Sequence, residues 1–247
     1  VDVDAYRIEE LIADAHGLLD ALRLDSAVFI GHDWGALLLW HMAAIAPERI
    51  DKLICLNIPQ IARPPIDPIE LMRRRFGDDY YIVNFQDSDA AERAFAADTH
   101  RFFGAVMRKN QIDREHFDKL PVERKSINLL ESLRRENPSG EALLSDAERD
   151  YYASAFAASG FTGPINWYRN WTHNWQALEG VDQTIVIPTL FIGAVNDVVV
   201  TPEQIEAMRP LIADLEIHML DDCGHWSQQE RPAVVNRVMR DWLMKRR

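Results

Sequence analysis

Gly31-His32-Asp33-Trp34-Gly35 sets an ionisable side chain between two glycines. It follows a short apolar run, Ala27-Val28-Phe29-Ile30, and precedes a helical pattern. The spacing is that of a nucleophile elbow, G-x-Nu-x-G, with Asp33 as the central residue. A strand that turns sharply into a helix leaves little room for bulk at the flanking positions and lifts the central side chain above the sheet. The turn also puts the backbone N–H of Trp34 at the helix N-terminus, where it can stabilise negative charge. Read alone, the pentapeptide describes equally well an Asp that N-caps a helix.

Two further groups bear on that choice. Asp197 lies just beyond the apolar run Thr189-Leu190-Phe191-Ile192, and His225 just beyond Glu216-Ile217-His218-Met219-Leu220. In parallel sheets functional groups gather at the carboxyl ends of strands. The chain order of nucleophile, acid and histidine is the one found in α/β-hydrolases. An Asp nucleophile is already ionised near neutral pH, its reference pKa being about 3.9, so no base need activate it. It can displace at a saturated carbon and form an alkyl ester whose carbonyl belongs to the protein. His225, oriented by Asp197, can then activate water against the Asp33 carbonyl carbon.

The elements that must position these groups are legible in outline. Ile8, Leu11, Ile12, Ala15, Leu18, Leu19 and Leu22 step by three and four, as on one face of a helix. A strand over Ala27–Ile30, a helix from Ala36 to about Ala46 and a strand over Lys52–Leu56 imply a right-handed crossover and a parallel sheet. From Ile58 to about Asp182 the pattern is helical, with a capping box predicted at Ser145 and Glu148. The parallel rhythm resumes at Thr189, and a closing helix is expected from about Ala233 to Lys245. The predicted architecture is therefore an α/β core with a mostly parallel sheet, formed by residues 1–57 and 183–247. A helical cap, residues 58–182, interrupts it.

Composition excludes other classes. Of 247 residues, 39 are acidic and 27 basic, and the net charge of −12 repels phosphate backbones and anionic membrane surfaces. Neither nucleic acid nor a membrane is therefore expected as a partner. No apolar run approaches the roughly 20 residues that span a bilayer. Cys55 and Cys223 are the two cysteines, which excludes a disulfide framework and points to a reducing, cytoplasmic compartment. The other histidines show no metal-ligand spacing, so no metal and no organic cofactor is expected. A homodimer stays open as the assembly. Trp167, Trp171 and Trp175, at steps of four on one predicted helix, read as cap packing; His32 reads as a structural residue under the elbow, and Arg73-Arg74-Arg75 as a solvated helix face.

Three segments carry a resemblance: Gly31-His32-Asp33-Trp34-Gly35, Gly163-Pro164-Ile165-Asn166-Trp167-Tyr168-Arg169-Asn170, and Asp222-Cys223-Gly224-His225-Trp226. Together they resemble the epoxide hydrolases of the α/β-hydrolase fold, of the soluble mammalian and bacterial type. The resemblance implies a small-molecule epoxide as substrate and a vicinal diol as product. It also implies two cap tyrosines that donate to the epoxide oxygen and help protonate the alkoxide. Tyr168 matches one by its motif. Tyr81 matches the other by its spacing to Phe85-Gln86, with Tyr80 adjacent; packing of one or both rings in the cap is the alternative reading. Asp33 would be the nucleophile, Asp197 and His225 the acid–base pair, and Trp34 an oxyanion donor. Haloalkane dehalogenases share the Asp nucleophile and the acid–histidine pair, and a non-catalytic binding protein on the same fold is the other alternative. Hydroxyl donors suit an alkoxide that must be protonated, which favours the epoxide reading over the halide one.

The family's H-G-x-P loop, which precedes the elbow, does not occur here. At typical element lengths about four strands and a helix, roughly 60–80 residues, are expected to be lacking. The resemblance thus predicts a chain that begins inside the fold, with Val28–Ile30 as an exposed apolar edge.

Overall fold

Four parallel strands, in the spatial order β1-β2-β3-β4, make the sheet of this computed structural model, which describes residues 2–109 and 113–246. The elements in chain order are α1 (Ile8–Leu22), β1 (Ala27–His32), α2 (Trp34–Ile45), β2 (Ile50–Leu56), α3 (Pro68–Phe76), α4 (Tyr81–Asp87), α5 (Ala90–Ala97), α6 (Thr99–Val106), α7 (Arg114–Lys119), α8 (Leu129–Arg134), α9 (Asp146–Ser159), α10 (Thr162–Arg169), α11 (Trp171–Ala177), β3 (Thr189–Ala194), α12 (Pro202–Ala207), β4 (Leu215–Leu220), α13 (Ser227–Glu230) and α14 (Pro232–Lys245). All three strand pairings are parallel, as the strand–helix–strand order requires.

The chain divides into two compact units. One comprises Ile8–Arg63 and Ala177–Arg247, the other Val1–Arg7 and Pro64–Gln176. The first holds the sheet. Its central strands are apolar on both faces because both faces are covered. Leu53, Cys55 and Phe191 pack with Ile8 and Ile12 of α1, Leu39 and Trp40 of α2 and Ile205 of α12. Ile54, Leu56, Leu190 and Ile192 pack with Val235 and Trp242 of α14. β1 is an outer strand among the described residues, and Val28 and Ile30 are 36% and 53% exposed. The register pairs His32 with Leu56, Leu56 with Ile192 and Ala194 with Leu220, which brings the carboxyl ends of the four strands level.

The second unit is helical. Apart from isolated single-residue bridges, its described residues form no strand. Ser145 and Glu148 make the reciprocal capping box at α9. Three expectations change here. The tryptophans do not share one helix, because the chain breaks between α10 and α11 at Asn170, leaving Trp167 on one and Trp171 and Trp175 on the other. Residues near the start group with this unit and not with the sheet: the buried Asn170 side chain donates to the Val3 carbonyl at 2.7 Å, and Tyr6 lies against Gly163. Ile58 stays with the sheet unit, where its carbonyl accepts from the Trp40 indole at 3.0 Å. Val1 of the expected first core segment and residues 110–112 of the expected cap lie outside the described residues. Arg73 and Arg74 end α3 in exposed ion pairs with Asp78, Asp87 and Glu70, contacts of small worth.

The two elbow glycines prove unequal. A Cβ on Gly31 would sit on the carbonyl of Gly35 and 2.8 Å from the Ala36 nitrogen, both backbone groups of the first turn of α2. A Cβ on Gly35 would meet nothing within 4 Å. Only Gly31 is therefore required by close approach. Gly31→Ala is expected to cost at least about 3 kcal/mol, since backbone cannot yield as a side-chain tip can. Urea denaturation checks it, with Gly35→Ala, costing much less, as the control.

Candidate active site

Asp33 stands between β1 and α2 with φ 54° and ψ −117°, a conformation that costs a non-glycine residue about 1–3 kcal/mol. It occupies the N-cap position of α2, yet its side chain makes no capping hydrogen bond. That removes the N-cap reading of the pentapeptide. The carboxylate turns instead to the loop after β4, where Oδ1 lies 3.3 Å from His225 Nε2. The other ring nitrogen, Nδ1, is 3.0 Å from Oδ2 of Asp197, in the loop after β3. One imidazole thus bridges two carboxylates, the three groups delivered from three strand ends.

The electrostatics follow from that bridge. Burial raises the Asp33 carboxyl, but hydrogen bonding and charge from His225, the nearby His32 and the Trp34 backbone N–H outweigh it, and its pKa is lowered. Asp197 is fully buried. Desolvation would raise its pKa, and His225, the Asn57 amide and the Val199 N–H hold it down instead. Burial alone would lower His225, whereas Asp197 first and Asp33 second raise it well above the usual imidazole value. The two carboxylates thus favour the protonated imidazole, which could donate from both nitrogens.

His32 lies beside the bridge, as the sequence suggests. Its Nε2 contacts the His225 carbonyl at 2.8 Å, and its ring lies 5.0 Å from the His225 ring. Desolvation, then the charge on His225, lowers its pKa, so it serves as a neutral donor to that carbonyl. Trp34 opens α2, and its backbone N–H, at the helix N-terminus, is hydrogen-bonded to the Asp33 carboxylate.

The two tyrosines are in the helical unit. Tyr81 begins α4 and Tyr168 lies in α10, with ring centroids 5.7 Å apart and Phe85 edge-on to both. Tyr80 is buried and stacks 4.7 Å from Phe76. Tyr81 thus has Tyr168 beside it at 5.7 Å and Tyr80 at 5.0 Å, and the Gln86 amide, donating to the carbonyls of Ile82 and Tyr168, ties α4 to α10.

A family model described as alpha/beta hydrolase fold matches residues 2–232. Bifunctional epoxide hydrolase 2 of Sus scrofa is 34% identical over 98% of this chain, which spans 43% of that relative's length. Epoxide hydrolase A of Mycobacterium tuberculosis is 32% identical, covering 98% of this chain and 76% of the relative. Among solved structures, epoxide hydrolase A from Mycobacterium thermoresistibile superposes with a TM-score of 0.85 at 33% identity, over 98% of this chain and 77% of that one. This chain belongs to the α/β-hydrolase family, among its epoxide hydrolases.

In this α/β hydrolase two residues beside the bridge escaped the sequence reading. Asn57, directly after β2, is fully buried, and so is Ser227, two residues after His225. A polar residue right after a buried apolar strand was the available signal for Asn57, but it looks like any strand-to-loop transition. Cys55 and Cys223 are both buried thiols, their pKa values raised by burial. No described helix of this family member is long and apolar enough to cross a membrane.

Proposed function

We propose that this chain opens a small-molecule epoxide to a vicinal diol through an alkyl ester on Asp33. The observation that carries the reading is the Asp33–His225–Asp197 bridge. A carboxylate held ionised, next to an acid–histidine pair, suits two steps of opposite need. In the first, Asp33 attacks an epoxide carbon, the C–O bond breaks, and the oxygen takes a proton with the help of the Tyr81 and Tyr168 hydroxyls. The helical unit is read as the cap that supplies them. In the second, water attacks the Asp33 carbonyl carbon as His225 takes its proton, the Trp34 N–H stabilises the tetrahedral oxyanion, and collapse releases the diol.

The switch between steps follows from charge. While Asp33 is ionised it helps hold the proton on His225. Esterification discharges Asp33 and removes one of the two carboxylates that raise the imidazole, which then gives its extra proton to solvent and is left neutral, able to act as base. The same reading places the chain in the cytoplasm, with the two unpaired, buried thiols in support.

The test is product analysis with a panel of aliphatic and aryl epoxides. Vicinal diol is expected, in proportion to epoxide consumed. Halide release from a haloalkane with no diol from any epoxide would overturn the reading in favour of a dehalogenase. Ligand binding with no turnover of either substrate would overturn it in favour of a binding protein.

A further inference from the structure

Asn57 has a backbone φ of 67°, a region asparagine tolerates better than most residues, and its N–H donates to Ile192 at 2.9 Å. That posture aims its amide at the acid–histidine pair. Nδ2 donates to Asp197 Oδ2 at 2.7 Å and to the Gly224 carbonyl at 3.3 Å, while Oδ1 accepts from the Ser227 hydroxyl at 2.6 Å. Gly224 precedes His225 and Ser227 follows it by two. One buried amide therefore ties the acid to both flanks of the histidine loop. Asp197 Oδ2 receives Asn57 and His225 Nδ1 together, and Oδ1 receives the Val199 N–H at 3.0 Å, so the carboxylate cannot rotate without breaking a bond.

We infer that Asn57 is a positioning residue for ester hydrolysis, locking the Asp197 carboxylate and the His225 loop in the register the second step needs. The inference rests on the roles proposed above for Asp33, His225 and Asp197. Attack by Asp33 needs neither Asp197 nor a base. Activation of water needs His225 oriented by Asp197 throughout. Asn57 therefore acts on one step and not on the other, whereas a merely structural residue would disturb both.

Asn57→Asp is the discriminating variant. It keeps the shape, tolerates the positive φ and retains an acceptor for Ser227, but it sets an oxygen against Asp197 Oδ2 where a donor stood. Rapid-quench mass spectrometry should find ester on Asp33 forming at the unaltered rate and hydrolysing about 10–100-fold more slowly, the usual effect of losing an outer partner of an active-site ligand. Because the ester accumulates, kcat and KM should fall together while kcat/KM holds. Ser227→Ala, which frees the amide to turn, should slow the same step by a smaller factor, and it decides alone if Asn57→Asp does not fold. Wild-type hydrolysis in the folded variants, or equal losses of kcat and kcat/KM without adduct, overturns the inference. His225→Gln, run alongside, separates the two failures. An adduct there, with normal ester hydrolysis in the other two, sinks the role of Asn57 alone. No adduct in any of the three sinks the Asp33 reading and Asn57 with it.

Discussion

His225→Gln should stop after a single turnover, with the substrate left attached to Asp33. The first step needs an ionised carboxylate, which Asp33 supplies without a base. The second needs a proton taken from water, and glutamine cannot take one. Loss of a general base within a hydrogen-bonded acid–base pair costs about 10³–10⁴ in rate, so kcat should fall by that factor. The Asp33 peptide should gain the mass of one epoxide, stoichiometric with protein. The variant also removes the largest influences holding the Asp33 pKa down, leaving burial to raise it. The experiment therefore belongs at alkaline pH, which favours the ionised carboxyl. In the unaltered protein, one turnover in ¹⁸O-water should place label in the Asp33 carboxyl, because water attacks that carbonyl and not the epoxide carbon. Sustained turnover of His225→Gln with Asp33 unmodified and unlabelled would reject the two-step mechanism.

Asp33→Asn should abolish the first step and lower the His225 pKa. A neutral amide is a poor nucleophile, and kcat/KM should drop by about 10⁴ or more, the scale of losing a covalent nucleophile. The proton shift is the sharper readout. Asp197 and Asp33 both raise the imidazole against its burial. With Asp33 neutral only Asp197 remains, and burial works unopposed on that side. An NMR titration of the His225 ring should show its pKa moving down toward the ordinary range. The stability consequence has a definite sign. A group raised on folding contributes stability fully below its unfolded pKa of about 6.5, lost as pH rises through the folded value. The unaltered protein should hold this contribution further into alkaline solution than Asp33→Asn does. An unchanged His225 titration in the variant would remove charge discharge as the switch between the two steps.

Much of the positioning framework could be read from residues in order. The central strands β2 and β3 are runs of apolar residues because both faces of the sheet are covered there, and such runs stand out without any tertiary information. Asp33, Asp197 and His225 could be singled out because each follows a short strand-like run, although β1 and β4 are only partly buried. What stayed hidden depends on contacts distant in sequence. Asn57 meets Asp197 and Ser227 at separations of 140 and 170 residues, and its identity as a clamp exists only once the strands are level. Nothing local tells Gly31 from Gly35, since the difference lies in where the α2 backbone returns. The break at Asn170 hid for another reason: the tryptophan spacing of four runs straight across it, while the capture of its side chain by the Val3 carbonyl is a long-range event.

The acidic balance sets how copies of this chain behave toward each other. The net charge of −12 supplies a mutual repulsion whose reach is the Debye length, about 8 Å at 0.15 M salt and about 3 Å at 1 M. Charge thus protects the chain colloidally, and concentrated salt withdraws that protection.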